Sequence, residues 1–561
     1  MTGPEAQAPA SVPDERARVD TIVAGGGIAG LMVAHDLAAR GYRVLVLEAG
    51  DRIGGTAAKL ELPDLDLALD AGAESFAVRG GAVAALAGEL GLGEAIVEPN
   101  AAGAWLQLTD KAVPMPKRTL LGIPSVPLAR DVIDALGWGG ALRAHLDRLM
   151  PVLRIGTDDA LGPLVRRRMG QRVLDRLVAP LAGGVYSSDP ELLDVDVVAP
   201  GLNGGITRAG SLSGGVAYVL EERAQAAGGA DDKPGSAVQG IRGGIHQLSE
   251  RLAARAREHH AVIRTGARVV RATETDDGWS VETDAGTHEA SSLVVALPER
   301  EARQLLLPAV ESLPPVEERA AQPHASRDHS AQPHASGDHD VTVELVTLVF
   351  PPGAIEGDPR GTGVLVAADN TKVRAKAMTH ATAKWAWLRE AAGGREIVRL
   401  SYGTGATAPA TEGLDDAAAA ALALADAQAI LGTTLPQPIA SARVRWRRGQ
   451  PTSIVGARSR QQELRDVAAA HRNLFVVGGA VAGTGIAQVV PDARRTALEI
   501  RREHFAVQGT PWTDDILPDE TGNPDESVDP DERNQPDEPN RSIEPSEQGA
   551  PDTPAAGRGE A

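Results

Sequence analysis

Three glycines and one acid carry the first chemistry legible in this 561-residue chain. Gly25, Gly27 and Gly30 stand in G-x-G-x-x-G spacing within the run Gly25-Gly26-Gly27-Ile28-Ala29-Gly30, and Glu48 follows 23 residues after Gly25. Glycine at the first position permits a tight turn, at the second lets a pyrophosphate approach the backbone, and at the third lets a helix pack closely on a strand. A carboxylate at Glu48 can accept hydrogen bonds from ribose hydroxyls. The pattern therefore points to dinucleotide binding. A bare motif of this kind is weak, so its weight rests on the elements around it. Thr21 to Ala24 reads as a strand, and Ile28, Leu31, Ala34, Leu37 and Ala38 recur at helical spacing. Gly41 ends that helix, and Val44 to Leu47 forms a second strand closing on Glu48. The result is a βαβ unit whose helix N-terminus offers free N–H groups and a partial positive charge to phosphates.

Other chemistries are thinly represented. The chain has no cysteine, which removes disulfides, thiolate catalysis, iron–sulfur clusters and thiolate metal sites together. It shows no catalytic triad, zinc cluster or Walker loop, so any hard chemistry falls to a bound cofactor. His324, His329, His334 and His339 lie in a tandem duplication, AQPHASRDHS followed by AQPHASGDHD. An expanded surface loop accounts for them better than a metal site, and no metal is expected.

Composition sets outer limits. The length allows two to four domains. At 42% hydrophobic and 3% aromatic residues, the core must be built mainly from Ala, Val, Leu and Ile. Of the net charge of −20, the stretch from Thr513 onward carries −12, leaving −8 for the rest. That Pro-, Asp- and Glu-rich stretch holds too little apolar surface to offset its ordering entropy, so it is expected to be disordered. An acidic body disfavours nucleic acid as a partner. The N-terminus lacks the basic start and apolar run of a signal peptide, and no run of about 18 apolar residues is present. A cytoplasmic location is therefore expected, with peripheral membrane contact left open through residues 119–150, which include Trp138. Arg166 to Arg168 read as a solvated helix face.

The residues after Glu48 choose a cofactor. Glu48, Ala49, Arg52, Gly54 and Gly55 form E-A-x-x-R-x-G-G, which resembles the flavoprotein family of amine oxidases, phytoene desaturases and porphyrinogen oxidases. That resemblance implies FAD. Further along, Asp70 to Phe76, Leu90-Gly91-Leu92, Pro114 to Pro116 and Gly122-Ile123-Pro124 occur in the order of the porphyrinogen oxidases of haem synthesis. Arg166-Arg167-Arg168-Met169-Gly170 and Gly183-Gly184-Val185-Tyr186, ending at Asp189-Pro190, sharpen the likeness. Within the resemblance, the backbone of Gly72, Ala73, Glu74 and Ser75 contacts the isoalloxazine end, the backbone of Val269 contacts the adenine end, and Trp446 lies close to the flavin. Gly479, Gly485, Ile486 and Ala487 belong to a C-terminal turn and helix placed at the flavin pyrimidine.

The implied architecture is α/β and α+β. It comprises an FAD-binding Rossmann-like domain of the amine-oxidase and glutathione-reductase type, a mixed-sheet substrate domain and a mainly helical insertion. In order, the chain divides into a disordered leader (1–18), FAD-binding segment (19–110), helical insertion (111–225) and second FAD-binding segment (226–300). A linker with the histidine repeat (301–340), mixed α/β substrate domain (341–450), C-terminal FAD-binding segment (451–508) and acidic tail (509–561) follow. Thr265 to Val270 is expected to be a single strand.

The activity implied is the oxidation of a porphyrinogen, a tetrapyrrole whose rings are joined by methylene bridges, in three two-electron steps. Molecular oxygen is the final acceptor and hydrogen peroxide the by-product. Coproporphyrinogen III is favoured as substrate over protoporphyrinogen IX. Arg79, Lys117 and Arg118 are the candidates for pairing with substrate carboxylates. No catalytic residue stands out, although His246 and Tyr186 are available as bases. An FAD-dependent amine oxidase, a carotenoid desaturase and a non-catalytic flavin carrier remain the rival readings, and the oligomeric state is left open.

Overall fold

The computed structural model describes residues 18–150, 160–226, 237–306, 341–405, 407–448, 453–483 and 485–508. The leader, the histidine repeat with His324, His329, His334 and His339, and the acidic tail lie outside the described residues.

The N-terminal unit forms as its pattern requires. Strand β1 (Val19–Ala24) leads through the glycine turn into helix α1 (Ile28–Ala38), and strand β2 (Val44–Leu47) returns parallel to β1. Helix α1 is apolar nearly all round, with Leu31, Met32, Val33, Ala34 and Leu37 fully buried. Such a helix must be covered on every side. Here the parallel sheet covers one side, and the helices His246–Glu258 and Ile486–Gln508 contribute to the same core.

Around β1 a seven-stranded sheet assembles. Val262–Arg264 pairs with the outer edge of β2, and Gly286–Val295 pairs parallel to β1 on the other side. The long strand Gly286–Val295 serves two partners. Its first half takes the antiparallel strand Gly278–Thr283, and Leu293 to Val295 pair with Leu474–Val476. Thr265 to Val270 is not one strand. Glu48 receives the chain at Ala267, Gly266 turns it at φ +65°, and a new strand starts at Val269.

A second seven-stranded sheet runs Ala440–Arg448, Val341–Phe350, Glu396–Tyr402, Ala377–His380, Gly363–Val366, Ala104–Gln107 and Ala112–Pro114. The division at residue 110 is therefore corrected. It cuts a hairpin that joins this mixed sheet through parallel pairing of Ala104 to Gln107 with Gly363 to Val366. Strand partners some 260 residues apart leave no local trace. One face of the sheet is sealed by the Ala-rich helix Asp416–Leu431, whose N-cap Asp415 accepts the Ala418 N–H at 2.7 Å and which ends at Gly432 with φ +70°. The opposite face packs on the hairpin β3 (Lys59–Leu62) and β4 (Leu67–Asp70). Leu60, Leu62, Leu67 and Leu69 meet Val349, Ile397 and Val444 there.

The helical segment has its own core, formed by Leu136, Leu161, Leu164, Val165, Leu174, Leu177, Leu202 and Val216 among others. Its arginine run is split by burial. Arg166 and Arg167 are exposed, whereas Arg168 is 5% exposed and bonds Asp147 at 2.5 Å. The solvated-face reading is thus corrected for Arg168. Asp147 is itself fully buried and also accepts the N–H groups of Leu212 and Ser213 and the Ser213 hydroxyl.

Candidate functional site

The glycine turn sits where β1 and β2 end. Gly25 bonds the Leu47 carbonyl at 2.8 Å and has φ +109°; a Cβ on it would lie 2.4 Å from the Ala296 carbonyl oxygen. At Gly30 a Cβ would lie 2.1 Å from the Gly25 carbonyl oxygen, so helix and turn can pack only through glycine. Gly27 differs from both. Its φ is −75° and nothing lies within 4 Å of where its Cβ would be. The bare backbone at Gly27 is thus unneeded by the fold and leaves an open approach to the helix start. Gly27 caps α1 with no side-chain acceptor, so the first-turn N–H groups remain available to an anion.

Glu48 is held ready beside that opening. Its Oε2 accepts the Gly26 N–H and its Oε1 the Gly50 N–H, each at 2.7 Å. Each oxygen keeps lone-pair capacity for a further donor such as a hydroxyl. A second glycine arm faces the first: Gly54 bridges Gly27, and its N–H donates to the Gly26 carbonyl at 2.8 Å. Gly55 lies close enough that a Cβ would sit 3.4 Å from Gly27 Cα. Ala49 and Arg52 are exposed at the rim. Val269 opens its strand just after Ala267 bonds the Glu48 carbonyl. The C-terminal strand and helix close the other side. Gly478 approaches Ala29 so nearly that a Cβ on Gly478 would be 3.0 Å from that of Ala29. Ile486 and Ala487 pack on the same core as Ile28, Ala29 and Ile53, and Gly479 and Gly485 are exposed beside them. Residues from four distant stretches thus converge on one open glycine cradle with a carboxylate at its side. The pyrophosphate and ribose of FAD fit this donor and acceptor set.

The segment after β4 is tied down from several elements. A Cβ on Gly72 would lie 2.3 Å from the Thr56 carbonyl oxygen, and the Ala73 N–H donates to that same oxygen at 2.8 Å. Trp446 Nε1 donates to the Ala71 carbonyl at 3.2 Å, and Arg399 donates to the carbonyls of Asp70 and Gly72. The Glu74 side chain is occupied by the protein itself, pairing with Lys384 at 2.6 Å and Arg399 at 3.2 Å. Burial pushes its carboxyl pKa up, but the two cations outweigh that and hold it below the usual value. Ser75 is half-buried at the end of the turn. Lys384, Arg399 and the side chain of Asp70 were absent from the sequence reading. Their partners lie hundreds of positions away, so no local signal marks them.

Arg79, Lys117 and Arg118 are the candidates for substrate carboxylates. All three are exposed, and the backbone N–H of Lys117 donates to Asp131 Oδ2 at 3.0 Å. His246 is bonded to Asp70 at 2.8 Å, and Tyr186 is half-buried, its phenol pKa raised by burial against a smaller opposing effect of Arg223. Four large apolar side chains stand out on the helix Arg130–His145 and the turn after it. Trp138, Leu142, Leu146 and Leu149 are 65%, 52%, 48% and 79% exposed. Among the described residues no helix is long and apolar enough to cross a membrane.

Comparison with known proteins agrees with this geometry. The profile of the flavin containing amine oxidoreductase family matches residues 28–501. A Bacillus subtilis (strain 168) protein named coproporphyrinogen III oxidase is 25% identical over 488 residues, covering 84% of this chain and 96% of its own. A Mycobacterium tuberculosis (strain ATCC 25618 / H37Rv) protein of the same name is 28% identical over 488 residues, covering 85% and 96%. In fold, a crystal structure of an Exiguobacterium sp. 255-15 protein, a candidate protoporphyrinogen oxidase, superposes with a TM-score of 0.70 at 24% identity. It covers 87% of this chain and all of that one.

Proposed function

Because this chain belongs to the flavin containing amine oxidoreductase family and its cofactor is FAD, we propose that it oxidises coproporphyrinogen III to coproporphyrin III in haem biosynthesis. The observation that carries this reading is the length of the likeness. The relatives named coproporphyrinogen III oxidase cover 84% and 85% of the chain, more than the cofactor sheet alone could account for.

In this reading Gly25 to Gly30 and the start of α1 hold the pyrophosphate, while Glu48 takes the ribose hydroxyls. Arg52 stands at the rim of the same cradle, and Val269 marks the adenine end. Gly72 to Ser75 and Trp446 run along the isoalloxazine, with the helix start at Gly485, Ile486 and Ala487 at its pyrimidine edge. Bound FAD supplies the two-electron acceptor, which dioxygen returns to the oxidised state with release of hydrogen peroxide. The chain's own part is to orient the macrocycle, exclude bulk water and pair with its carboxylates, for which Arg79, Lys117 and Arg118 are the proposed cations. Removing six electrons from one porphyrinogen consumes three dioxygen molecules.

The exposed stripe at Trp138, Leu142, Leu146 and Leu149 favours a second reading. An enzyme resting on a lipid surface through these side chains would suit the more apolar protoporphyrinogen IX. The deciding experiment compares oxygen uptake and porphyrin fluorescence on the two porphyrinogens, using purified protein with its flavin band near about 450 nm. Faster turnover of coproporphyrinogen III with three oxygens per porphyrin supports the first reading. A flavin that neither porphyrinogen reduces would overturn both.

A further inference from the structure

Asp70 holds the turn between β4 and the flavin-side segment, and its carboxylate is almost wholly committed. Oδ1 accepts the His246 N–H at 2.9 Å and meets His246 Nδ1 at 2.8 Å, while Oδ2 accepts the Ile245 N–H at 3.1 Å. Both side chains are buried, at 8% and 4% exposure. Room for the pair is made by Gly244. It has φ +108°, and a Cβ there would lie 2.5 Å from His246 Nδ1 and 2.9 Å from Asp70 Oδ1. The glycine pair Gly243-Gly244 before this helix therefore has a local purpose, which is to let an imidazole and a carboxylate meet behind the turn.

The main chain of the same residues is fastened from the other side. Arg399 and Trp446 hold the carbonyls of Asp70, Ala71 and Gly72, and Thr56 and Ala58 accept the N–H groups of Ala73 and Ala71. Every one of those ties leads to the mixed sheet or to the adjoining loop. The Asp70 carboxylate is what links the turn to the helix His246–Glu258 of the cofactor unit.

We propose that His246 is a positioning residue for the turn Asp70 to Ser75, acting through Asp70 to set the backbone that faces the flavin. The Nδ1–H aims the carboxylate, the carboxylate fixes the start of the turn, and the turn presents Gly72 to Ser75. His246 also lines a cleft of about 400 Å³ with Arg52, Lys59, Glu61, Ser249 and Glu250. This inference rests on the reading that the turn runs along the isoalloxazine.

The test uses full-length holoprotein and the variants His246→Ala, His246→Gln and His246→Asn. Asparagine can present an amide N–H where Nδ1 stood, whereas glutamine keeps bulk but places its amide near Nε2. We expect His246→Ala and His246→Gln to weaken FAD retention about ten-fold and to alter the shape of the flavin band. His246→Asn should restore both to within about two-fold of wild type. If His246→Ala and His246→Gln lower only the melting temperature and keep a wild-type flavin band, the proposal is overturned. Ser75→Leu separates the two layers of the argument. A changed flavin band in Ser75→Leu beside an unchanged one in His246→Gln removes the positioning role alone. Unchanged bands in both remove the placement of the turn as well.

Discussion

Arg399 reaches from the centre of the mixed sheet to Glu74, 325 positions away, and pairs with it at 3.2 Å while also donating to the Gly72 carbonyl at 3.1 Å. One side chain thus neutralises the acid of the flavin-side turn and clamps its backbone. Arg399→Met would leave Glu74 with Lys384 alone and free two turn carbonyls. A loss of about 2–3 kcal/mol is expected, below the full cost of stranding a buried charge because Lys384 remains. Urea denaturation of wild type, Arg399→Met, Glu74→Gln and the double variant would measure it. A coupling energy near zero between the two sites would contradict this account.

The same pair predicts a pH dependence. The folded-state carboxyl of Glu74 lies below its ordinary value because Lys384 and Arg399 overcome the opposing effect of burial. Its contribution is therefore present above the unfolded glutamate value of about 4.3 and is lost as pH falls through the depressed folded value. Melting curves should show Glu74→Gln losing less stability than wild type as pH is lowered through this acid range. Parallel acid limbs would rule the contribution out.

Two neighbouring arginines should differ sharply. Arg168 is 5% exposed and bonded to the fully buried Asp147, whereas Arg166 pairs with Glu191 at a surface where its side chain is 45% exposed. Arg168→Met is expected to cost about 3–5 kcal/mol. Arg166→Met should cost less than about 1 kcal/mol. Equal losses in chemical denaturation would place both on the same footing and refute the burial argument.

Glycine replacements in the cradle separate folding from cofactor binding. Gly27→Val meets no protein atom within 4 Å at its Cβ, so the variant should fold and yet retain little FAD. Gly30→Val would drive a Cβ to within 2.1 Å of the Gly25 carbonyl oxygen, so it should fail to accumulate as folded protein. Circular dichroism together with the flavin-to-protein absorbance ratio reads both outcomes. Full flavin content in folded Gly27→Val would show that nothing approaches the backbone there.

Replacing Trp138, Leu142 and Leu149 together by serine should leave oxidase turnover on dissolved substrate intact. It should also abolish any co-sedimentation with anionic vesicles. Wild-type protein that stays in the supernatant at low ionic strength would remove the lipid-contact reading and with it the main support for protoporphyrinogen IX.

The order of residues from Val19 to Glu48 carried the βαβ unit by itself, because turn, helix and strands are local and each follows from spacing and burial. The Ala-rich helix behind Asp415 and the core strand Val341–Phe350 were legible for the same reason. What lay beyond reach depends on contacts between distant residues. Nothing near Ala104 announces that it pairs with Gly363, and nothing in Arg166-Arg167-Arg168 says that only the third turns inward to Asp147. Glu74 reads from the sequence as a backbone contact to the flavin, and nothing near it announces that Lys384 and Arg399 claim its carboxylate. His246 reads as one of two spare histidine or tyrosine bases, and only its position beside Asp70 gives it a partner. Local spacing determined where a dinucleotide could be held. Tertiary packing decided which charges are paired, because burial makes an unpaired charge costly and selects partners by position in space rather than along the chain.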